Sequence, residues 1–146
     1  ASVADISHLL SAKPAEVAGA VQRILGESDT LRAGLTAAKD KLFALRLESI
    51  DRGTGFLCLF EEDLTPIEQR RFCTRLAEYR PGPCLLLCGD DEGGYRYALG
   101  VAAGDARVLS KELHQALGGK GGGNTQLVQG TLPAGRESIL AYAVNK

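Results

Sequence analysis

The chain has 146 residues, of which 45% are hydrophobic and 24% are charged, and its formal net charge is -1. This length and composition fit one globular domain with one appended element. No apolar run approaches the roughly 20 residues of a transmembrane helix. No basic start followed by an apolar segment marks a secretory signal, so we expect a cytoplasmic protein without a membrane partner. A nucleic-acid-binding protein of so balanced a charge would need its basic residues gathered on one face.

The cysteine pattern predicts core residues. The four cysteines are Cys58, Cys73, Cys84 and Cys88, and three of them lie in apolar strand-like runs. Such positions are typical of small buried residues in a reducing compartment. A metal site at Cys84 and Cys88 is the alternative, but no nearby motif supplies a third or fourth ligand. The chain lacks methionine and begins at Ala1, which is expected either after removal of an initiator methionine or for a piece cut from a longer protein.

The first third of the chain predicts one long helix, from Pro14 to about Ile50, after a short apolar turn or helix at Ile6 to Ala12. Apolar residues alternate at spacings of four and three, which is a heptad pattern. This apolar seam comprises Val17, Val21, Ile24, Leu31, Leu35, Leu42 and Leu45, with Ser28 and Ala38 at the remaining steps. Three glycines lie off the seam, and each costs about 1 kcal/mol relative to alanine. We therefore predict that a second helix, from another copy or an absent domain, supports it. Packing on its own domain is the alternative.

After the polar break at 51–55, strands and helices alternate. Strands are predicted in FLCLFEE, PCLLLCGDD, YRYALGVAA and TQLVQGTL, and helices in TPIEQRRFCTRLAEY, DARVLSKELHQAL and AGRESILAYAVNK. The first two strands are continuous apolar runs and should be buried, whereas the third alternates like a half-exposed strand. In the second helix, Asp105 should be the N-cap and Gly118 the C-cap. Its inward-facing residues should be Val108, Leu109, Leu113 and Leu117.

The predicted fold class is therefore α/β: a small mixed sheet with flanking helices, preceded by a long N-terminal heptad helix that forms a coiled-coil-like arm. The arm is assigned to residues 1–52, and the α/β domain with its glycine-rich loop to residues 53–146. The sequence shows no internal repeat.

The segment LGGKGGGNTQLVQGTLP, at 117–133, contains five glycines around Lys120. A helix C-cap with a flexible connector accounts for only one or two of them. A mononucleotide P-loop and a dinucleotide fingerprint should both open a helix, whereas here the run follows a helix and precedes a strand. We favour a backbone nest, in which successive amides converge on an anion such as a phosphate.

Several side chains beside the glycines are suited to such a ligand. Lys120 contributes a mobile positive charge, and nearby polar residues offer contacts to phosphate or sugar. These polar residues are Asn124, Thr125, Gln126 and Gln129. His114, one helical turn earlier, either faces the run or, as we favour, is a partly exposed helix residue. No nucleophile or general base is apparent, so the sequence predicts a binding site without catalytic residues.

The motif resembles the DHH-associated (DHHA-type) C-terminal domain of alanyl-tRNA synthetases and of alanyl-tRNA editing proteins. The matching positions are Gly118, Gly119, Lys120, Gly121, Gly122, Gly123, Leu127, Val128, Gln129 and Gly130. The N-terminal ISHLLSAKPAEVAGAVQRIL and the heptad helix also resemble the linker that joins the editing domain to this module. The chain departs from the family at Asn124 to Gln126, where synthetases often have Arg-Pro-Asp and DHH phosphoesterases often begin with histidine.

The resemblance implies a tRNA-binding and dimerisation module of an alanyl-tRNA editing protein. In such relatives, a zinc-bearing editing domain hydrolyses mischarged alanine tRNA. Its His-x3-His and Cys-x3-His motifs are absent from this chain. We therefore expect no deacylase activity and no cofactor in this fragment, with zinc in the missing domain. The expected partners are tRNA and a second copy of the chain. The expected nucleic-acid-binding residues are Gly118, Gly119, Lys120, Gly121, Gly122, Gly123, Asn124, Gln129 and Gly130.

The basic residues form two candidate groups. One lies on the first helix of the α/β domain and the other around the second. They comprise Arg70, Arg71, Arg75 and Arg80 in the first group, and Arg107, Lys111 and Lys120 in the second. A solvated helix face is the alternative interpretation. Two further hypotheses for function stay open: a scaffold that only dimerises a catalytic domain, and the substrate-binding half of a DHH-type nucleotide phosphoesterase.

Overall fold

The computed structural model describes residues 3–9 and 13–146, which divide into two compact units at Glu48 and Ser49. The predicted short apolar segment at Ile6 to Ala12 falls partly outside the described residues. Within the N-terminal unit, a short helix α1 (Val3–Leu9) and a 3-10 turn (Pro14–Glu16) contact the start of the long helix α2 (Val17–Glu48). The long helix and its start near Pro14 are as predicted.

The predicted apolar seam of α2 lies largely on its exposed surface. Leu31 is 74% exposed, and Leu42 and Leu45 are each 63% exposed. A Cβ placed on any of the off-seam glycines would have no described atom within 4 Å, so no close packing requires glycine there. No helix in the described part of the chain is long and apolar enough to cross a membrane.

The C-terminal unit is an α/β domain of five strands and three helices. Its strands are β1 (Leu57–Glu61), β2 (Cys84–Asp90), β3 (Gly94–Gly100), β4 (Lys120–Gly123) and β5 (Leu127–Leu132). Its helices are α3 (Pro66–Tyr79), α4 (Ala106–Leu117) and α5 (Arg136–Val144). The strands form one mixed sheet in the order β1-β2-β3-β5-β4, in which β1 and β2 are parallel and the other neighbours are antiparallel. The predicted fold class is thus confirmed.

Helices cover both faces of the sheet. On one face, α3 packs on β2, β3 and β5, where Gly100 leaves room for the Cys73 thiol. On the other face, α4 and α5 cover a cluster of strand residues that includes Tyr97 and Leu99. Because successive strand residues point to opposite faces, even-numbered residues of β3 face α3 and odd-numbered residues face α4.

Side-chain and backbone caps fix the helix ends. The Thr65 hydroxyl accepts a hydrogen bond from the Glu68 amide at 3.2 Å and begins α3. Asp105 caps α4 by accepting from the Arg107 amide at 2.9 Å, as predicted. Gly118 ends α4 with φ of 74°, a left-handed conformation that glycine adopts without steric cost.

Three burial predictions are wrong. Strand β1 is at the edge of the sheet, so its continuous apolar run is only half-buried. Strand β3 is almost wholly buried, although its sequence alternates, because it lies at the centre of the sheet with helices on both faces. Val108 of α4 is 54% exposed rather than inward, whereas Leu113 is fully buried.

Candidate nucleic-acid interface

The glycine run is a strand. Lys120–Gly123 forms β4, which pairs antiparallel with β5 and ends the sheet. The predicted loop-like nest is therefore wrong for these four residues, although all of them are exposed. The single strand predicted at 125–132 is instead the second half of a β4–β5 hairpin.

An edge strand has one unpaired side. At the closed end of the hairpin, the Asn124 amide donates to the Leu127 carbonyl at 2.9 Å. Antiparallel ladders alternate between hydrogen-bonded and non-hydrogen-bonded pairs. Asn124 and Leu127 form a hydrogen-bonded pair, so Gly123 with Val128 and Gly121 with Gly130 are non-hydrogen-bonded pairs. The amides of Gly121 and Gly123 therefore point away from β5, to the free edge of the sheet. Half of the segment's backbone donors are thereby available to a ligand.

Most of the glycines are explained by packing inside the protein. A Cβ on Gly123 would lie 2.1 Å from the Leu127 carbonyl oxygen, and one on Gly119 would lie 2.3 Å from the Thr131 carbonyl oxygen. A Cβ on Gly130 would lie 2.1 Å from the Lys120 carbonyl oxygen. These distances are far below van der Waals contact, so the close approach of β4 to β5 requires glycine at these three positions.

Gly121 makes room for a buried tyrosine. Tyr97 of β3 shares a register row with Gly130 and Gly121, and its hydroxyl would lie 2.6 Å from a Cβ on Gly121. This hydroxyl is hydrogen-bonded to Ser110 Oγ at 2.9 Å and to His114 Nε2 at 2.7 Å. Tyr97 therefore extends beneath β5 and β4 to reach α4.

His114 thus has a role that the sequence did not show. It is half-buried, consistent with a partly exposed helix residue, but its ring also packs edge-on against Tyr97 with centroids 5.8 Å apart. Burial raises the pKa of the Tyr97 phenol, and the hydrogen bond with Ser110 opposes that rise. The phenol consequently stays neutral and serves as a hydrogen-bonding group under the strand.

Gly122 differs from its neighbours because no described atom lies within 4 Å of the position that a Cβ would take. Its side-chain direction opens onto the face that carries α3, since it pairs with Gln129 in the same row as Ala98. Lys120 points to this same face, two residues away. Within the described residues, the Lys120 ammonium makes no hydrogen bond or ion pair.

An open cleft of about 930 Å³, here the Lys120 cleft, lies at the start of β4. Arg96 and Lys120 supply its positive charge, and Asp63 contributes a carboxylate at its rim. The remaining lining includes Cys88, Gly89, Gly94, Gly119 and Thr131. Sequence reasoning missed Arg96, because only the sheet register places it in the same row as Lys120, across the intervening strand β5.

The cleft favours binding over covalent chemistry. The Arg96 guanidinium donates to the Leu64 carbonyl, which holds it against the loop before α3. Burial raises the pKa of the Cys88 thiol, and Arg96 opposes this rise. Cys88 is therefore a protonated thiol at neutral pH and a poor nucleophile.

A second depression of about 400 Å³, here the Arg70 groove, lies at the turn between β4 and β5. Its walls come from α3, from the loop after β3 and from the turn itself. The polar lining comprises Arg70, Thr74, Glu78, Asn124 and Gln126. Arg70 is exposed, and its guanidinium makes no ion pair with any residue that the structure describes.

Two predicted contact residues are engaged inside the protein. Asn124 Oδ1 accepts from the Gln126 and Leu127 amides, each at 2.9 Å, and so closes the hairpin turn. Gln129 Nε2 donates to the Pro66 carbonyl at 3.1 Å and ties β5 to the start of α3. The Asn124 amide nitrogen remains a candidate donor, whereas the side-chain amide of Gln129 has a structural bond.

The predicted basic groups are smaller than expected. Arg80 is only 4% exposed and donates to the carbonyls of Asp51 and Pro83, each at 3.1 Å, so it contributes nothing to a basic surface. Arg107 pairs with Asp105 at 2.9 Å. Arg107 and Lys111 lie on α4, whereas Lys120 points to the face that carries α3, so the second predicted group is not one basic surface and Lys111 is not part of the Lys120 site. Arg70 and Arg71 stay exposed on α3.

The cysteines are free thiols. Cys73, Cys84 and Cys88 are buried, and Cys58 is half-buried, in agreement with the prediction of core residues. Burial raises the pKa of Cys58 to about 11. No group of three or more potential metal ligands occurs among residues 3–9 and 13–146.

Solved structures share this fold. The C-Ala domain of alanyl-tRNA synthetase from Aquifex aeolicus aligns with a TM-score of 0.52 and 19% identity, covering 65% of this chain and 94% of that domain. RecJ from Thermus thermophilus, in complex with Mn²⁺, aligns with a TM-score of 0.57 and 18% identity, covering 92% of this chain and 20% of RecJ. The class is therefore an α/β domain of the type present in C-Ala and in RecJ.

Sequence similarity is more specific. An alanine–tRNA ligase from Methylibium petroleiphilum is 33% identical over 153 aligned residues, which cover 96% of this chain and 18% of the ligase. No family model matches the chain. The chain is a homologue of a segment of alanine–tRNA ligase. The resemblance to alanyl-tRNA synthetase-related proteins inferred from the glycine motif is thus confirmed.

Proposed function

We propose that this chain is the nucleic-acid-binding module of an aminoacyl-tRNA enzyme and that its ligand is tRNA. The observation that carries the proposal is the Lys120 ammonium, unpaired among the described residues, beside an exposed glycine strand and in a cleft that also contains Arg96. Phosphates are bound by such combinations of cations and backbone amides. The name of the ligase relative supports tRNA as the source of those phosphates.

The structure changes the contact mode that the sequence predicted. Gly119, Gly121, Gly123 and Gly130 serve the packing of β4 on β5 and Tyr97. Gly122 is the glycine of β4 that packing leaves unexplained, and it lies between Lys120 and Asn124 on the open face. We propose that its missing side chain lets the ligand approach the strand. The free-edge amides of Gly121 and Gly123 would then donate to the ligand.

The parent enzyme is also part of the proposal. We propose an alanyl-tRNA synthetase-related protein that hydrolyses mischarged alanine tRNA with a zinc-bearing editing domain outside this chain. The chain spans 18% of the ligase that it matches, which leaves ample length for such a domain in a protein of that size. We propose that the apolar seam of α2 supplies dimerisation.

A charge-reversal pair tests the binding site. We expect the fragment to bind labelled tRNA at low salt in a fluorescence anisotropy titration, with modest affinity that falls as salt rises. Lys120→Glu should abolish binding, because it reverses the charge of the open cleft. Lys111 is an exposed lysine on α4, on the other face of the sheet. The Lys111→Glu variant makes the same charge change and should bind tRNA nearly as tightly as the unsubstituted chain. Absence of tRNA binding by the parent at low salt, with α2 still associating, would instead support the pure scaffold.

The likeness to RecJ supports a phosphoesterase alternative, because RecJ bound to manganese aligns over 97% of this chain with a TM-score of 0.59. In that hypothesis, the chain holds a nucleotide for a DHH domain outside it. Asn124 stands where those enzymes often have histidine, and its side-chain oxygen is committed to the hairpin turn. Mononucleotide binding as tight as tRNA binding would favour this alternative.

A further inference from the structure

The Lys120 cleft and the Arg70 groove lie at opposite ends of the same hairpin. Lys120, at the start of β4, lines the first, and Asn124, directly after β4, lines the second. Residues 120, 122 and 124 alternate onto the same face of the sheet. At about 3.4 Å per residue, the four steps from Lys120 to Asn124 span about 14 Å.

The floor between the two depressions is open. Gly122 occupies the middle of the span, and no described atom lies within 4 Å of the position that its Cβ would take. Beside it, the Gln129 side chain is hydrogen-bonded to the Pro66 carbonyl at the start of α3. A ligand can therefore lie continuously over Lys120, Gly122 and Asn124.

Positive charge is present at both ends of this span. Lys120 and Arg96 line the first depression together with the Asp63 carboxylate, and Arg70 lines the second together with Glu78. The middle offers backbone and no charge, because residues 121–123 are glycines. Such spacing suits a chain of phosphates better than one isolated phosphate.

We propose that the surface from the Lys120 cleft over Gly122 to the Arg70 groove binds an unpaired, extended RNA segment of about four nucleotides, the lower end of site sizes in single-strand-binding folds. This inference rests on the proposed function and specifies its ligand. A rigid duplex presents its phosphates on a convex surface and should therefore fit the two depressions less well than a flexible strand. A flexible single strand follows a concave surface and reaches both cations.

Binding should depend little on the base sequence of the RNA. Strong single-strand sites stack bases on exposed aromatic rings. Here Tyr95 and Tyr97, the aromatic residues of β3, are buried at 6% and 0% exposure and face away from α3. Contacts to the phosphates and sugars therefore dominate, and they carry no sequence information directly.

Oligonucleotide length provides the test. We would titrate the 146-residue chain with labelled uridylate mono-, di-, tetra- and octanucleotides and with a blunt RNA duplex, using fluorescence anisotropy. Affinity should rise steeply up to the tetranucleotide and little beyond it, and the duplex should bind more weakly than the octanucleotide at equal salt.

Neutralising each end separately locates the two contacts. Lys120→Gln should weaken both dinucleotide and tetranucleotide binding, whereas Arg70→Gln should weaken tetranucleotide binding by roughly tenfold and leave dinucleotide binding unchanged. Lys111→Gln is the control. Gly122→Val should block the middle, and circular dichroism would confirm that it stays folded.

Specific outcomes overturn the inference and leave the proposed function standing. The first is that tRNA binding depends on Lys120 but Arg70→Gln has no effect on oligonucleotides of any length. The second is equal affinity for the dinucleotide and the octanucleotide, and the third is tighter binding of the duplex than of the octanucleotide. Loss of all binding to tRNA would overturn both.

Discussion

At the scale of single residues, identical amino acids have different roles within the glycine run. Gly121 lies against the Tyr97 hydroxyl, which in turn bonds Ser110 and His114 on α4. Gly122, its neighbour, meets no described atom on its open side. Tyr97 is fully buried, and its side chain extends under β5 and β4, where a Cβ on Gly130 or Gly121 would collide with it. Packing therefore accounts for most of the run, and Gly122 is the position in it that packing does not explain.

This division predicts opposite results for two adjacent substitutions. Gly121→Ala places a methyl 2.6 Å from both the Tyr97 hydroxyl and the Gln129 carbonyl oxygen, so we expect a loss of about 1–3 kcal/mol of unfolding free energy, as for other overpacked cores. Gly122→Ala should change it by less than about 0.5 kcal/mol. Urea denaturation followed by circular dichroism measures both. Equal effects would show that the run is not packed as described.

At the scale of elements, the hairpin turn between β2 and β3 stabilises a helix distant in sequence. Gly135, the N-cap of α5, has no side chain to cap it. Asp91 supplies the cap, because its Oδ1 accepts from the Arg136 amide at 2.8 Å and from the Tyr95 hydroxyl at 2.7 Å. The hydrogen bond from the Arg136 amide is the largest cause of a lowered pKa of Asp91, and the hydrogen bond from the Tyr95 hydroxyl lowers that pKa further.

A lowered pKa makes the cap dependent on pH. The stabilisation from the Asp91 carboxylate is fully present above the unfolded-state pKa of about 3.9, and it is lost as pH falls through the lower folded-state pKa. Asp91→Asn should therefore be destabilised at pH 7 and approach the parent at acidic pH. Urea titrations from about pH 2 to pH 7 measure the difference, with Glu92→Gln as a matched carboxylate control in the same turn. A difference that does not shrink on acidification would contradict the capping role.

At the scale of the whole molecule, the N-terminal unit presents apolar side chains that its own described residues leave exposed. Leu31 and Leu35 of α2 are 74% and 58% exposed, and they lie on the heptad seam. A heptad seam is the pattern that buries itself against a second helix. Dimerisation through this seam stays a prediction.

Sedimentation equilibrium tests that prediction. We expect the chain to be dimeric at micromolar concentration and the double variant Leu31→Glu with Leu35→Glu to be monomeric, because two charges on each seam would face each other. The matched control places the same charges off the seam, at Ala33 and Ala37, which are also exposed. If the unsubstituted chain is monomeric, or if the Leu31→Glu, Leu35→Glu double variant is still dimeric, then α2 does not mediate association.

The sequence by itself determined the local elements. The heptad seam, the Thr65 and Asp105 caps and the glycine at 118 act within a few residues, so α2, α3 and α4 were predictable near their true ends. The glycine motif also carried the family resemblance. Local signals fail where burial depends on neighbours in the sheet, as the edge position of β1 and the central position of β3 show.

The tertiary structure alone decided what the glycines do. Whether a missing side chain serves a ligand or a neighbour depends on what lies opposite, and the atoms opposite Gly121, Gly123 and Gly130 come from other strands. The pairing of β5 with both β3 and β4 also places Arg96 in the same row of the sheet as Lys120, which follows it by 24 residues in the chain. Such contacts follow from long-range register, which no local pattern of residues encodes.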